Sequence, residues 1–478
     1  MSGIPLKCGV LASSAAAKTL MLCFDLPYFP DSAELFKRIS DLNDAVWLDS
    51  CSHGERSGRY DIMSAQPLRT LIHKNGHSFI CEKGDKREYR GDFFQLLDEQ
   101  IQSLPSECAN NQIFCGGLIG YISYDFGMQL PFNEVSASPN KLPLDDAQLG
   151  LYSWALVQDH HSQRSWCLGP DLGEDQQAVI ANIVARCQRP WAPTRTSDDY
   201  RCEPFQAQIT AEEYRENIAR VQDYIQAGDC YQVNFAQKFS ALFEGSALAA
   251  YLKLRQALPS PFSAFMKLDR GAILSHSPER FIRVQGDQVE TKPIKGTIPR
   301  GDDLDSDRQL ARELQSSDKD RAENLMIVDL LRNDLSRNCK LGSVRVPELF
   351  ALESYPNVHH LVSTITGSLA EDSSALALLR DSFPGGSITG APKKRAMEII
   401  AELEPDARSV YCGSMVYISA NGNMDSSITI RTLVDDGEGQ IHCWGGGGIT
   451  ADSNSDSEYQ ESLTKVMKLM TTLQNTTP

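Results

Sequence analysis

The chain has 478 residues and a formal net charge of −17, which argues against nucleic acid and anionic membrane as partners. Hydrophobic residues make up 41% of the chain and charged residues 23%, the composition of a globular protein with a substantial core. An acidic protein that binds an anionic metabolite must supply local positive charge, from its side chains or from a metal ion.

The amino-terminal region carries no predicted targeting or membrane-spanning segment. Residues 1–24 contain a short apolar stretch without a basic region leading into it. No segment of the chain reaches the roughly 18 apolar residues that a membrane span requires. The 13 cysteines include no CxxC pair, which favours reduced thiols. We therefore expect a cytoplasmic protein without a membrane partner.

The first part of the chain mixes strand patterns with helix patterns. Residues 45–50, 60–67 and 115–127 predict strands beside glycine-rich turns, and residues 92–104 predict a helix. A polar stretch with several prolines, residues 186–208, interrupts these patterns. We interpret it as a linker between regions 1–190 and 191–478.

The second part begins with a helix over residues 210–228, which Thr210 as N-cap, Glu213 and the terminal Gly228 delimit. Strands dominate to about residue 298. The later predicted elements are helices at 320–338, 374–383 and 393–400, a hairpin at 415–434, a strand at 441–444 and a closing helix from about Asp456. Strands and helices without regular βαβ alternation predict an α+β fold with antiparallel sheets.

Lys295 lies in the segment TKPIKGTIPRG, between Ile294 and Gly296. An ordinary lysine has a pKa of about 10.4, so well under ~0.1% of it is neutral at pH 7. A nucleophilic lysine needs burial or a neighbouring cation to lower its pKa toward ~7–8. The local pattern does not show such burial, and composition by itself favours a solvated turn lysine.

Acidic side chains mark two predicted helices. Glu458, Glu461 and Lys465 are spaced to share one face of the closing helix, although Glu458 also fits a capping box begun by Ser455. Glu323 starts another helix, an ordinary place for an acid. If these carboxylates converged, they would form a hard oxygen site suited to Mg²⁺ bound partly through substrate oxygens.

The predicted hairpin places Ser427, Thr429 and Arg431 on one face by period-two alternation. An arginine in a half-buried strand is costly unless a carboxylate pairs with it. The four glycines at 445–448 fit neither GxGxxG nor a P-loop, although their amides could hold a carboxylate. His360 is a lone histidine, a pattern more typical of a core residue than of a catalytic one.

Taken together, these segments resemble the chorismate-utilising enzymes. The resemblance extends from about residue 110 to the end, more weakly before that, and rests on FCGGLIGYISYDFG, GDCYQVNFAQ, SHSPERF, PIKGT, AENLMIVDLLRNDLSR, NVHHLVSTI, FPGGSITGAPKKRAMEII and GGGGITADSNSDSEYQESLTK. It implies an α+β fold of the anthranilate synthase component I type, with two antiparallel β-sheets packed in a sandwich and helices outside. It also implies an amino-acid (tryptophan) pocket with Ser50 in region 1–190 and a chorismate-binding catalytic domain in region 191–478, intertwined in one fold.

Two positions distinguish branches of this family. The PIKGT form, with Lys295, is typical of members that aminate chorismate at C4 in 4-aminobenzoate and folate biosynthesis, whereas anthranilate synthases carry alanine there. Gln232 stands where relatives that form isochorismate or salicylate carry a lysine that activates water. Both positions disfavour water as the nucleophile.

The resemblance also implies roles for individual residues. Lys295 would attack the chorismate ring, Glu279 would protonate the leaving hydroxyl and His360 would complete the catalytic group. Mg²⁺ would be held by Glu323 and Glu461, with support from Glu458. The implied substrate contacts are Gln232, Thr297, Ser387, Thr389, Tyr411, Arg431, Gly446, Gly447, Gly448 and Lys465. Ser387 stands where relatives often have threonine.

No cysteine lies in a GxCxG elbow followed by the His and Glu of a glutaminase. Ammonia is therefore expected from a separate glutamine amidotransferase subunit, or from free ammonium. Two alternatives stay open: an anthranilate synthase component I, and a non-catalytic paralogue that binds chorismate or tryptophan. The presence of Lys295, Glu279 and the three acids disfavours the paralogue.

Overall fold

A computed structural model describes residues 21–51, 58–106, 112–136, 138, 142–189, 199–355 and 358–474. The strands in the first half of the chain are β1 (Met21–Leu26), β2 (Val46–Asp49), β3 (Tyr60–Ser64), β4 (Arg69–Lys74), β5 (His77–Glu82), β6 (Asp85–Tyr89), β7 (Gly117–Ile122), β8 (Ala147–Tyr152), β9 (Ala155–Asp159), β10 (Arg164–Pro170), β11 (Tyr200–Cys202), β12 (Gln206–Ala207) and β13 (Gln232–Gly245). The later strands are β14 (Phe262–Lys267), β15 (Ala272–Ser277), β16 (Arg280–Gln285), β17 (Gln288–Thr291), β18 (Ile294–Pro299), β19 (Arg345–Ser354), β20 (Val358–Ser368), β21 (Gly390–Ala391), β22 (Ser414–Ser419), β23 (Met424–Ile428), β24 (Thr432–Asp435) and β25 (Gln440–Ile449).

The helices are α1 (Ala33–Phe36), α2 (Phe93–Gln102), α3 (Tyr124–Met128), α4 (Glu174–Gln188), α5 (Ala211–Gln226), α6 (Ala247–Ala257), α7 (Leu304–Ser316), α8 (Asp318–Ser336), α9 (Ala375–Ser382), α10 (Lys393–Leu403) and α11 (Ser455–Gln474). A single 3₁₀ turn, Gly386–Ile388, lies between α9 and α10 in the described chain.

The strands form two large sheets, and every pairing between described strands is antiparallel. The first sheet has the order β1-β10-β9-β3-β2-β14-β15-β24-β25-β13-β11, and the second has the order β18-β20-β17-β16-β23-β22-β7-β8-β4-β5-β6. Short strands β12 and β21 pair with β13, and β19 pairs with β20. The predicted α+β fold with two antiparallel sheets is confirmed.

Each sheet combines strands from before residue 190 and after residue 199. In the first sheet β2 pairs with β14, and in the second sheet β7 pairs with β22. The largest buried apolar cluster draws on strands of both sheets, including Leu118, Phe281 and Phe235. The predicted division at residue 190 falls in the segment 190–198, outside the described residues, and stays a prediction.

Local chemistry explains why several predicted elements form where expected. Thr210 Oγ1 accepts a hydrogen bond from the amide of Glu213, and the Glu213 carboxylate accepts one from the amide of Thr210. This capping box satisfies two free amides at the start of α5. Gly228 follows the helix with φ of 85°, a left-handed conformation that glycine adopts without cost.

The predicted hairpin is correct for β22 and β23, but its second strand ends earlier than predicted. Arg431 adopts a left-handed conformation with φ of 50°, and the chain then enters the other sheet as β24. Ser427, Thr429 and Arg431 therefore do not share one strand face. The alternation is interrupted because the chain crosses between sheets at this corner.

Four further expectations need correction. The strand predicted over 115–127 ends at Ile122, after which the hydroxyl of Ser123 caps α3. Asn454, and not Ser455, caps α11, since its Oδ1 accepts from the amide of Ser457. Within the predicted linker, β11 and β12 pair with β13. Ten cysteines of the described chain are free thiols, but Cys115 is disulfide-bonded.

None of the described helices combines the length and the apolar character that crossing a bilayer requires.

Candidate active site

A cavity of about 540 Å³ lies among β18, β20, β25, α8, α11 and the 3₁₀ turn. This volume lies in the range of small-molecule sites. Thirteen of the residues predicted as site residues line it: Glu279, Lys295, Thr297, Glu323, His360, Ser387, Tyr411, Arg431, Gly446, Gly448, Glu458, Glu461 and Lys465. Residues more than 180 positions apart in sequence therefore meet in one cavity.

One side of the cavity, here called the inner wall, consists of Glu279, Lys295, His360 and Ser387. The amine of Lys295 donates a hydrogen bond to the carbonyl oxygen of Ser387 at 3.2 Å. The hydroxyl of Ser387 donates to Oε1 of Glu279 at 2.7 Å. Ser387 thus links the amine and the carboxyl group, which come from different strands and loops.

The inner wall shifts both ionisable groups toward their neutral forms. Burial lowers the pKa of Lys295, although Glu323 and Glu279 oppose this effect. Burial also raises the pKa of Glu279 to about 6, against the opposing hydrogen bond from Ser387 and the charge of Lys295. A less basic amine beside a weaker acid is the pairing that nucleophilic attack and proton donation require.

His360 completes the inner wall from β20. Its Nδ1 lies 2.8 Å from the hydroxyl of Thr297. Burial, with a contribution from the charge of Arg431, lowers the pKa of His360 to about 3. The imidazole is therefore neutral at physiological pH, and it contacts Thr297 without adding positive charge to the cavity.

The opposite side, here called the acidic wall, consists of Glu323 and Lys319 on α8 with Glu458, Glu461 and Lys465 on α11. Lys465 lies 2.7 Å from Oε1 of Glu461 and donates to the carbonyl oxygen of Gly446 at 2.8 Å. Lys319 lies 3.7 Å from Oε1 of Glu458 and 4.0 Å from Oε1 of Glu323. Three carboxylates and two ammonium groups thus face the same space.

The pKa values of Glu323 and Glu461 shift in opposite directions on this wall. Burial raises the pKa of Glu323, and the nearby Lys295 and Lys319 offset only part of that effect. Burial also acts on Glu461, but Lys465, together with Lys319 and Lys295, holds its pKa below the ordinary value. Glu461 is therefore ionised, whereas a further cation near Glu323 would stabilise the ionised form of its carboxylate.

The acidic wall fits a hard divalent cation in its donor chemistry. A Cβ on Gly447 would lie 3.1 Å from Oε2 of Glu458 and 3.6 Å from Oε1 of Glu461, so glycine leaves open space beside two carboxylates. Nowhere in the described chain are three or more potential metal ligands already gathered tightly enough to hold an ion alone. Mg²⁺ binds carboxylate oxygens together with waters and substrate oxygens, so Glu323, Glu458 and Glu461 are residues that could hold it.

A third part of the cavity is suited to a carboxylate and a ring. Burial lowers the pKa of Arg431, and no carboxylate of the described residues forms an ion pair with its guanidinium. An arginine in such a place favours a bidentate anionic ligand. Tyr411 stacks on Trp444, with ring centroids 5.8 Å apart and planes 7° apart, beside Arg431 in the lining.

The four glycines of β25 bring the backbone of the first sheet close to α11. They lie inside the strand and do not follow it as predicted, because residues 445–448 pair with residues 234–237 of β13. A Cβ on Gly445 would lie 2.2 Å from the carbonyl oxygen of Ser462 on α11. A Cβ on Gly448 would lie 2.1 Å from Nε2 of Gln232. A larger residue at position 445 would therefore push away α11, the helix that carries Glu458 and Glu461.

Three predicted substrate contacts lie outside the lining of this cavity. Gln232 is 1% exposed, and its side-chain amide packs against Gly448. Thr389 is fully buried and donates its hydroxyl to the carbonyl oxygen of Gly385. Gly447 turns its open side toward the acidic wall. Gln232 and Thr389 are thus buried beside lining residues, whereas Gly447 faces the acidic wall, and the substrate contacts predicted for all three stay predictions.

Several lining residues escaped the sequence analysis. Lys319 lies four positions before Glu323 on α8, a spacing that would have indicated their contact. Trp444 precedes the glycine run, and Asn234 lies on β13 with its Oδ1 buried and unpartnered among the described residues. No local pattern distinguishes Asn234 from any other strand asparagine.

A second cavity of about 380 Å³ contains Ser50, together with Asp49, Ser263, Arg280 and Tyr417. The hydroxyl of Ser50 donates to Oδ1 of the buried Asp61 at 2.7 Å. Ser50 therefore lies at a separate pocket, apart from the inner and acidic walls. Its predicted contact with tryptophan stays a prediction.

Comparison with known proteins places the chain in a wider group. Residues 43–471 match the family of chorismate binding enzymes. The aminodeoxychorismate synthase component 1 of Salmonella typhimurium is 44% identical over 459 residues, covering 94% of this chain and 98% of that protein. The anthranilate synthase component 1 of Pseudomonas putida is 35% identical and covers 95% of both chains. The crystal structure of anthranilate synthase component I from Streptococcus pneumoniae has a TM-score of 0.78 at 29% identity, covering 86% of this chain and 92% of that one.

Proposed function

The chain belongs to the chorismate binding enzyme family, and from that premise we propose that it is the synthase subunit of an aminodeoxychorismate synthase. It converts chorismate and ammonia to 4-amino-4-deoxychorismate, in 4-aminobenzoate and folate biosynthesis. The identity of 44% to an aminodeoxychorismate synthase component 1, against 35% to an anthranilate synthase component 1, supports this branch.

The observation that carries the proposal is the inner wall. An amine with a lowered pKa, Lys295, shares Ser387 with a carboxyl group of raised pKa, Glu279. An anthranilate-forming enzyme has no use for a nucleophilic amine at this position. The pairing supports covalent catalysis, which divides one difficult displacement into two easier ones.

In the first step, the neutral amine of Lys295 forms a bond to C2 of the chorismate ring. The two conjugated ring double bonds each shift by one position, from C1–C2 to C1–C6 and from C5–C6 to C4–C5, and the bond between C4 and its hydroxyl breaks. Glu279 gives its proton to the departing hydroxyl, which leaves as water. Since the carboxyl group must be protonated, the raised pKa of Glu279 favours this role.

In the second step, ammonia in the cavity forms a bond to C4 of the ring. Both double bonds return to their first positions and the bond between C2 and Lys295 breaks, so the amine is regenerated. The ionised Glu279 is a base near the site and accepts a proton from the added ammonia. The net reaction exchanges the C4 hydroxyl for an amino group with release of water.

Substrate binding depends on the charges of the cavity. Arg431 and Lys465 supply positive charge for the two carboxylates of chorismate, and Tyr411 bounds the ring. We assign Mg²⁺ to Glu323 and Glu461 with support from Glu458; when bound, the metal neutralises a substrate carboxylate and orients it. These cations answer the problem that a protein of net charge −17 faces with an anionic substrate.

Ammonia comes from a separate glutamine amidotransferase subunit in this proposal, and the enzyme works in the cytoplasm. The relatives' designation as component 1 supports a partner component. The pocket at Ser50 is proposed to hold tryptophan, with Ser50 as a contact.

The test is a product assay with purified protein, chorismate, Mg²⁺ and ammonium. The proposal predicts 4-amino-4-deoxychorismate, which a lyase converts to 4-aminobenzoate. Blue-fluorescent anthranilate formed without further enzymes would overturn it in favour of anthranilate synthase component I. Bound chorismate without any turnover would favour the non-catalytic paralogue.

A further inference from the structure

Lys319 is the one lysine of the acidic wall without a role in the proposed reaction. It lies at the second position of α8, with Glu323 one turn later. The helix dipole favours acids in a first turn, and a lysine placed before a glutamate is the weaker order for such a pair. Helix stability therefore does not explain a lysine here.

The contacts of Lys319 are loose and shared. Its amine lies 3.7 Å from Glu458 and 4.0 Å from Glu323, whereas Lys465 approaches Glu461 to 2.7 Å. The first two distances exceed those of hydrogen bonds, so Lys319 balances these acids by its charge and without a hydrogen bond to either. Two of the three acids assigned to Mg²⁺ thus share the charge of one ammonium group that no tight bond holds, and Glu323 also lies in the field of Lys295.

The position of Lys319 also allows it to leave. Its side chain is 56% exposed, whereas those of Glu458 and Glu323 are 4% and 16% exposed. The acids are fixed in the wall, while the long lysine side chain reaches them from the solvent side. A cation entering between the acids would repel the ammonium group into water without moving either helix.

We propose that Lys319 is a built-in counter-ion that occupies the acidic wall in the metal-free enzyme and competes with the metal for Glu323 and Glu458. This inference rests on the metal assignment of the proposed function. Without substrate, the metal therefore binds more weakly than it would bind to the three carboxylates in the absence of Lys319. Lys319 is thus a residue that tunes metal binding and takes no part in the chemistry.

The test is a titration with Mn²⁺, followed by the electron paramagnetic resonance signal of the free ion, without chorismate. Lys319→Met removes the charge and keeps much of the length, and it should bind Mn²⁺ about tenfold more tightly, which corresponds to about 1.4 kcal/mol. Lys319→Arg keeps the charge and should behave as wild type. The rise in melting temperature on adding Mg²⁺ should also be larger for Lys319→Met.

Lys340→Met is the matched control, since Lys340 makes a similarly loose contact of 3.9 Å with Asp287 away from the cavity. It removes the same charge and should leave the Mn²⁺ affinity unchanged. Equal or weaker binding by Lys319→Met would overturn the inference and leave the metal assignment intact, provided that wild type binds. If neither protein bound Mn²⁺, both the inference and the metal assignment would fall, while the product assay would still decide the amination itself.

Discussion

Two lysines face the same cavity, and their surroundings shift their pKa values in opposite directions. On the inner wall, burial lowers the pKa of Lys295 despite the nearby Glu279 and Glu323. On the acidic wall, burial has the same sign for Lys319, but Glu458, Glu323 and Glu461 together outweigh it and raise the pKa. The balance between lost hydration and nearby negative charge therefore decides which amine can react.

The difference assigns separate tasks to the two walls. The inner wall holds groups near neutrality, which suits bond formation and proton transfer. The acidic wall keeps charges, which suits metal and substrate binding. A single cavity can hold both environments because different elements build them: β18 and the 3₁₀ turn for one, α8 and α11 for the other.

The largest effect is expected from Lys295→Ala. Loss of the nucleophile should lower the rate of C4 amination by about 10³-fold or more, or redirect the product toward anthranilate. Steady-state assays with ammonium measure this effect. Lys292→Ala is a nearby control, because Lys292 pairs with Glu353 and does not line the cavity. Unchanged formation of 4-amino-4-deoxychorismate by Lys295→Ala would exclude the covalent route.

The next effect concerns the acid of the inner wall. Glu279→Gln keeps the shape of the side chain and removes its transferable proton, so kcat should fall by about 10²-fold. Chorismate affinity, measured by equilibrium binding, should change far less. If rate and affinity fell equally, Glu279 would be only a positioning residue.

Glu279→Gln should also change how the stability of the folded protein depends on pH. Because folding raises the pKa of Glu279 from 4.5 to about 6, the folded protein holds this proton more tightly than the unfolded chain does. Stability is therefore lost as pH rises from 4.5 to 6, by about 2 kcal/mol. The free energy of unfolding of Glu279→Gln, relative to wild type, should increase by that amount between pH 4.5 and pH 7. Denaturant unfolding of both proteins at pH 4.5 and pH 7 measures this change. The same difference in free energy of unfolding at both pH values would contradict the raised pKa of Glu279.

A smaller effect is expected at the third part of the cavity. Arg431→Lys keeps the charge but loses the bidentate geometry, so KM for chorismate should rise about tenfold with little change in kcat. Arg431 has a left-handed backbone, which lysine tolerates no worse than arginine. An unchanged KM would show that the substrate carboxylate binds elsewhere, for example at Lys465.

The sequence predicted most elements whose signals are local. The capping box of α5 and the shared face of Glu458, Glu461 and Lys465 follow from residues within two turns. The lowered pKa of Lys295 had no such signal, because burial causes it and residues distant in sequence enclose the amine, such as Ser387, 92 positions away. The same holds for the glycines of β25, whose small size is required by Ser462 on α11.

Positions that depend on a crossing between sheets were the hardest to predict. Alternation placed Arg431 on a strand face, but the chain turns there from β23 in one sheet to β24 in the other. Gln232 and Thr389 lie outside the cavity lining, and their predicted contacts with substrate stay predictions. Periodicity within one segment carries no information about a change of sheet, so the side on which Arg431 lies could not be predicted from it.

The central claim is that the amine of Lys295 bonds to the chorismate ring, and intact mass spectrometry tests it most directly. Wild-type protein is incubated with chorismate and Mg²⁺ without ammonia, quenched, and then digested to locate any adduct. We predict a mass increase equal to chorismate less one water, carried by the peptide that contains Lys295 and absent from Lys295→Ala. Chorismate turnover on adding ammonium, with no such adduct at any time of quenching, would contradict the account.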